Sequence, residues 1–203
     1  MSGYSAAGGQ GRASAFSGDD DLRLMARVRA RDQAAFEQLY RNYHPRLARF
    51  LINLIHKPHL VEEVLNDTMM VVWDRPESFR GASKLSTWIF GIAWRKAMKA
   101  VRRQDEPVED TESETRASPD AGPDGRLGQQ RAQALLLAAI GRLSPDHRAV
   151  VDLTYFHEMG YREIAEIMEC PVDTVKTRMF HARRHLKRAL SGDLGAGALA
   201  DWW

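Results

Sequence analysis

The sequence predicts an all-α protein: two small helical domains joined by an acidic flexible linker, the second containing a helix-turn-helix. Three observations carry this. Apolar residues recur at steps of three and four along most of the chain, and no strand-period segment stands out. Residues 104–125 gather eight acids (Asp105, Glu106, Glu109, Asp110, Glu112, Glu114, Asp120 and Asp124) against one Arg116, with Pro and Gly interspersed. Such a segment is a linker and not a core element. Finally, residues 144–190 read as three short helices, the last two separated by the tight turn Met168-Glu169-Cys170-Pro171.

In chain order, residues 1–18 are mostly Gly, Ser and Ala and are expected to form a disordered tail. A first domain spans 19–104. It opens at Asp19-Asp20-Asp21, acids that favour a helix N-terminus. Leu22, Met25 and Val28 carry a first short helix, and Phe36, Leu39, Tyr40, Tyr43, Leu47, Phe50, Leu51 and Leu54 a long second one. Pro58 breaks the pattern before a third helix, Leu60 to Trp73, with Val61, Val64, Leu65, Thr68, Met69 and Val72 inward. Its outward residues are Glu62, Glu63, Asn66 and Asp67. A fourth helix runs from about Lys84 to Arg103. The acidic linker occupies 105–128, the helix-turn-helix domain 129–190, and a C-terminal tail ending in Trp202-Trp203 covers 191–203.

The last helix carries the strongest chemical signal. Pro171 suits the first helical position, since its missing N–H costs nothing there. Val172, Val175, Met179, Ala182, Leu186 and Ala189 form the stripe that packs on the domain. Six Lys/Arg and one acid lie between Pro171 and Leu190, with Thr177, Arg184 and Arg188 nearly opposite the stripe. A helix apolar on one side and basic on the other suits the DNA major groove. In that docking mode the early turns meet base edges and later residues meet phosphates. Base readout falls to Lys176, Thr177, Phe180 and His181, and backbone contacts to Arg178, Arg183, Arg184 and Lys187. A solvated basic face on an ordinary bundle is the plain alternative, and a helix-turn-helix alone does not distinguish a repressor, an activator and a polymerase subunit.

The fourth helix offers a second nucleic-acid face. Its first half is aromatic and apolar; its second half carries Arg95, Lys96, Lys99, Arg102 and Arg103 with no acid among them. Aromatic rings beside a basic groove suit single-stranded or melting DNA, because rings stack on unpaired bases while cations follow the backbone. Phe79, Trp88 and Trp94 are the aromatic candidates; taken singly, each reads first as a core residue.

Composition bounds the remaining classes. With 44% hydrophobic and 28% charged residues and a net charge of +2, the 203-residue chain is ordinary for a soluble globular protein. A lone Cys170 excludes an internal disulfide and fits a reducing compartment. Neither a membrane-spanning run nor a signal-peptide pattern stands out, so a cytoplasmic location without membrane insertion is expected. His157-Glu158-Met159-Gly160 begins like a zinc-protease motif but lacks its second histidine. His181 and His185 have metal-compatible spacing, yet no third ligand is evident in sequence. No nucleophile–base pair stands out, and neither enzymatic activity, cofactor, metal nor small-molecule substrate is expected.

Together these residues resemble the extracytoplasmic-function (group IV) bacterial sigma factors over about residues 20–190. The first domain does so through Ala35-Phe36-Glu37-Gln38-Leu39-Tyr40, Glu62-Glu63-Val64-Leu65-Asn66-Asp67-Thr68, Val72-Trp73, Phe79-Arg80-Gly81 and Thr87-Trp88-Ile89-Phe90-Gly91-Ile92-Ala93. The second does so through Leu143-Ser144-Pro145, Tyr161-Arg162-Glu163-Ile164-Ala165 and Cys170-Pro171-Val172-Asp173-Thr174-Val175-Lys176-Thr177-Arg178. The resemblance implies a transcription-initiation subunit that binds core RNA polymerase and promoter DNA, under control of an anti-sigma factor, for a stress or envelope regulon. It places −10 recognition and melting on Phe79, Trp88, Arg95, Lys96, Lys99, Arg102 and Arg103, −35 recognition on the last helix, and docking to core polymerase on Glu62, Glu63, Asn66 and Asp67. Arg95 stands where the family commonly has a base-contacting Asn, and His181 where Arg is frequent. A stand-alone helix-turn-helix regulator, or a sigma-mimicking adaptor that sequesters an anti-sigma factor, are the alternatives; neither explains the aromatic–basic fourth helix.

Overall fold

The structure, a computed structural model, describes residues 18–105 and 135–191. The expected tails, apart from their innermost residues, and the acidic linker beyond Asp105 lie outside the described residues. Among the latter all regular structure is helical. The order is α1 (Gly18–Arg29), α2 (Gln33–Ile55), α3 (Pro58–Asp74), a 3-10 turn at Pro76–Ser78, α4 (Leu85–Asp105), α5 (described over 135–141), α6 (Pro145–Tyr155), α7 (Tyr161–Ile167) and α8 (Val172–Ser191).

Helix boundaries follow from local chemistry. Asp32 caps α2 by accepting from the Ala35 N–H at 3.1 Å. Pro58 opens α3 at its first turn and Pro145 opens α6 behind the Ser144 cap. The pattern break at Pro58 is thus a helix start. Helix α2 runs on through the exposed Pro45 and ends at His56, which takes a left-handed φ of 58°. Arginines then cover carbonyls left open at helix C-termini. Arg31 donates to Trp73 O (2.6 Å) and Asp74 O (3.4 Å) at the end of α3.

Helices α1–α4 enclose a core containing the fully buried Tyr43, Phe50, Phe90, Met25, Leu39, Leu47, Leu51, Leu65, Met69 and Ile89. Tyr43 ties α2 to α1 by donating to Asp21 Oδ2 at 2.6 Å, and burial, with Asp21 adding to it, drives its phenol far above the ordinary range. Helices α6, α7 and α8 pack on one another around Leu153, Ile164, Val175, Met179 and Ala182.

The two helical groups touch. Helix α4 packs on α7, and α2 on α6. At the first crossing a Cβ built on Gly91 would lie 3.9 Å from the Ile167 Cα and 3.7 Å from Arg95 Nη1, both ordinary contacts. Gly91→Ala should therefore fit, and removing a mid-helix glycine should raise stability by about 0.5–1 kcal/mol. A higher urea midpoint, followed by circular dichroism, is the expected reading.

Candidate nucleic-acid interface

Helix α8 sorts its residues as the periodicity predicts. Val175, Met179, Ala182 and Leu186 are buried, while Val172 and Ala189 are half-buried at the edges of the stripe. Lys176, Thr177, Phe180, His181, Arg183, Arg184 and Lys187 are exposed, Phe180 at 63%. An apolar ring that open, midway along a basic helix, adds little to the core. Lys176 pairs with Asp173 at 2.9 Å, an exposed contact that DNA could displace at little cost. Arg183 donates to the Tyr155 hydroxyl at 2.9 and 3.2 Å.

Arg178 differs from the phosphate contact expected of it. Its side chain is half-buried, donating to Asp146 Oδ2 at 2.5 Å and lying 3.6 Å from Cys170 Sγ. It braces α8 against the start of α6 and the helix-turn-helix turn. That turn includes Glu169 at a φ of +52°, a left-handed conformation that favours glycine.

On α4 the outcome is mixed. Lys99, Arg102 and Arg103 are exposed. Phe79, expected to stack on bases, is instead buried: Arg29 lies over its ring and donates to its carbonyl, and Trp88 stacks beside it with centroids 5.4 Å apart. Trp88 is half-buried and Trp94 buried. Lys96 pairs with Asp67 at 3.0 Å, so one residue expected to meet DNA neutralises one expected to meet polymerase. Glu62, Glu63, Asn66 and Asp67 all lie on the exposed side of α3, Asn66 accepting from the Tyr40 hydroxyl at 3.0 Å.

The first part of α4 faces the helix-turn-helix. Lys84 pairs with Glu163 at 2.9 Å, Thr87 donates to the same carboxylate at 3.4 Å, and Arg95 pairs with Glu169 at 2.6 Å. Burial pushes the Glu163 carboxyl up, but Lys84, the Gly160 N–H and Thr87 together hold it below the usual range.

A polar cluster lies at the α2–α6 contact. Arg148, only 6% exposed, donates to Asn53 O (2.8 Å), Ile140 O (3.2 Å), Gly141 O (2.6 Å) and Leu143 O (2.7 Å), and touches the His56 ring. Asn53 donates to Asp152 Oδ1 at 2.6 Å. His157, its side chain 2% exposed, sits 3.1 Å from Asp152 Oδ2 outside hydrogen-bond alignment, its ring against Phe50 and Phe90.

His56 titrates below its ordinary value, first because burial disfavours its charged form and then because Arg148 on α6 faces it. The unfolded chain thus binds a proton near pH 6.5 that the folded chain refuses. This contribution to stability is complete above that pH and declines as pH falls below it. His56→Gln should flatten that part of the urea midpoint–pH curve.

Sequence reading missed His147, which lies on α6 with ring centroids 6.2 Å from both His181 and His185. Its ring also meets Ser144 Oγ at 2.9 Å. Burial first, then the two neighbouring imidazoles, hold its titration below the ordinary value. Among the described residues no group of three histidine, cysteine or carboxylate side chains is placed to hold a metal ion, and no helix is long and apolar enough to cross a membrane.

Comparison with known proteins gives this arrangement its context. The family model for Sigma-70 region 2 matches residues 39–106, and that for Sigma-70 region 4 matches residues 133–186. The ECF RNA polymerase sigma factor RpoE of Cereibacter sphaeroides is 30% identical over 176 residues, covering 85% of this chain and 96% of that protein. The ECF RNA polymerase sigma-E factor of Haemophilus influenzae is 28% identical over 180 residues, covering 84% and 95%. Among solved structures, the sigma factor RpoE in complex with the anti-sigma factor NepR from Bartonella quintana aligns with a TM-score of 0.61 at 27% identity, over 78% of this chain and 98% of that one. CnrH, in complex with the cytosolic domain of CnrY, shares the fold at a TM-score of 0.65 and 23% identity, over 86% and 99%. With both conserved regions in order, and relatives matched over nearly their whole length, the chain belongs to the extracytoplasmic-function RNA polymerase sigma factors, the subunits that direct transcription initiation.

Proposed function

We propose a division of labour within that role. Helices α1–α4, with the domain drawn at 19–104, hold the −10 element and core polymerase; the domain at 129–190 reads the −35 element through α8. The observation that carries this is α8 itself: an apolar stripe is spent on packing while Lys176, Thr177, Phe180, His181, Arg183, Arg184 and Lys187 stand exposed. The acidic, exposed side of α3 supports the polymerase assignment, because Glu62 and Glu63 have no role in the core.

Reach is consistent with two promoter elements. Their centres lie about 25 base pairs apart, or about 85 Å at 3.4 Å per step. The 23 linker residues from 106 to 128 extend to at most about 80 Å at 3.3–3.6 Å each, and the width of the two domains adds to that reach. The linker suffices, provided the two domains separate.

The Bartonella quintana relative is crystallised with an anti-sigma factor. By that likeness this chain is held by an anti-sigma partner that covers its DNA-facing surfaces; a purified complex that still transcribed would overturn this. Run-off transcription with core polymerase on a promoter library tests the main reading. Promoter-specific transcripts dependent on this chain are expected, whereas tight duplex binding that core enzyme does not improve would favour a stand-alone regulator.

A further inference from the structure

Three imidazoles meet where the start of α6 lies against α8. His147 lies on α6 with its ring centroid 6.2 Å from those of both His181 and His185. Arg178, His181, His185 and Arg188 recur on α8 at steps of three and four, so they share one face of the helix. Arg178 reaches Asp146 on α6, which fixes that face as the one bordering the α6 start. His181 and His185 are exposed there, and His147 is half-buried behind them. His181 also stands one turn from Thr177 and three residues from Arg184, so the cluster adjoins the side opposite the packed stripe.

The surroundings of this cluster are mostly cationic. Toward His147 stand His185, His181 and Arg178 from α8, and Asp146 from its own helix. Asp146, the one acid among them, is paired with Arg178. Acids of α7 and its following turn are engaged elsewhere, Glu163 with Lys84 and Glu169 with Arg95. Glu166 lies beside Val172 and Lys176, at the opposite end of α8. The α2 groups that reach α6, His56 and Asn53, meet Arg148 and Asp152. The described part of α5 has no ionisable side chain.

Charging three neighbouring rings is opposed by their mutual repulsion. Burial first, then His185 and His181, hold His147 below its ordinary titration. A phosphate reverses that balance, because an anion against an imidazole favours the charged form. Histidine is also the side chain whose charge changes between about pH 5 and 8.

We propose that His147, His181 and His185 form one binding site for the DNA backbone, a phosphate cradle that takes up protons as the −35 duplex docks, so that −35 affinity rises as pH falls. This rests on α8 lying on the −35 duplex, and the experiment separates the two claims. Docked DNA raises the proton affinity of the rings, so the bound state holds more protons than the free one. The gain in DNA affinity is therefore complete below the titration of the free chain and is lost as pH rises through that of the complex. Lysines and arginines of α8 add no such dependence, since they stay charged throughout this range.

The full-length chain, assembled with core polymerase, is titrated onto a fluorescein-labelled promoter duplex chosen by run-off transcription. The same duplex cut short of the −35 element is titrated beside it, and the ratio of the two affinities is the −35 gain. That gain should be about tenfold or more larger at pH 6 than at pH 8, since each ring whose titration rises by one unit adds up to about tenfold. The slope of log affinity against log salt should also steepen at the lower pH, by about 0.9 for each proton taken up. His147→Gln/His181→Gln/His185→Gln, folded by circular dichroism, should show the weaker gain and the shallower slope at both pH values. His185→Arg, a single exposed substitution that keeps a cation in place, should raise the gain at pH 8 and reduce its pH dependence. A wild-type gain equal at both pH values, or a triple variant that keeps the pH dependence, would overturn the histidine site and leave the −35 assignment standing. If the −35 segment added no affinity at either pH, the −35 assignment itself would fall.

Discussion

Arg148→Ala is expected to destabilise the C-terminal domain by about 3–5 kcal/mol. Four carbonyls depend on that guanidinium: Ile140 and Gly141 at the end of α5, Leu143 in the α5–α6 connection, and Asn53 in α2. Each buried acceptor left unpaired costs about 1–3 kcal/mol, and water entering the vacated space offsets part of the sum. Burial lowers the pKa of the group, yet a guanidinium stays protonated, so the charge and its donors persist at every working pH. Against a total stability of about 5–15 kcal/mol, the loss brings the domain close to unfolding. Urea denaturation followed by circular dichroism should show an early transition confined to part of the helical signal. Arg148→Lys keeps the charge but not the planar fork, and should recover only part of the loss. An unchanged midpoint in Arg148→Ala would mean that the carbonyls find water without penalty.

Arg148 also shows where sequence reading stops. A period of three to four residues was enough to place α1 to α4 and α8, and to sort α8 into buried Val175, Met179, Ala182 and Leu186 and an exposed basic side. Such patterns are local, and neighbouring residues suffice to reveal them. Contacts between elements leave no such trace. Asp67 and Lys96 both read as outward charges, but their pairing depends on how α3 lies against α4. Phe79 looked like a stacking ring because it precedes a basic helix; burial under Arg29, which is 50 positions away, decides otherwise. His181 and His185 had visible spacing, whereas His147 joins them only through the packing of α6 on α8. A sequence signal did exist for Arg178: it falls one position from the α8 buried stripe, and Asp146 offers a carboxylate at the start of α6.

Lys176→Ala and Arg184→Ala should both weaken −35-dependent initiation, with different signatures. Lys176 lies in the first turns of α8, which the proposed docking sets against base edges, and its exposed pair with Asp173 leaves it free to exchange partners. Losing a base contact costs about 1–3 kcal/mol, and the loss should be confined to one position of the element. Arg184 lies two turns further on, exposed and opposite the packed stripe. On the proposed docking its loss removes one phosphate contact, which should weaken all sequences alike and reduce the slope of log affinity against log salt by about 0.9. Affinity for core polymerase should hold in both variants, since neither residue is on the acidic side of α3. Arg178→Ala supplies the contrast. It breaks the brace to Asp146, so its defect should appear as a lower unfolding midpoint before any promoter is present. Run-off assays on a promoter and its −35 point variants, at two salt concentrations, separate the three cases. If Lys176→Ala or Arg184→Ala instead lost core binding, α8 would be a polymerase contact and the division of labour between the domains would be wrong.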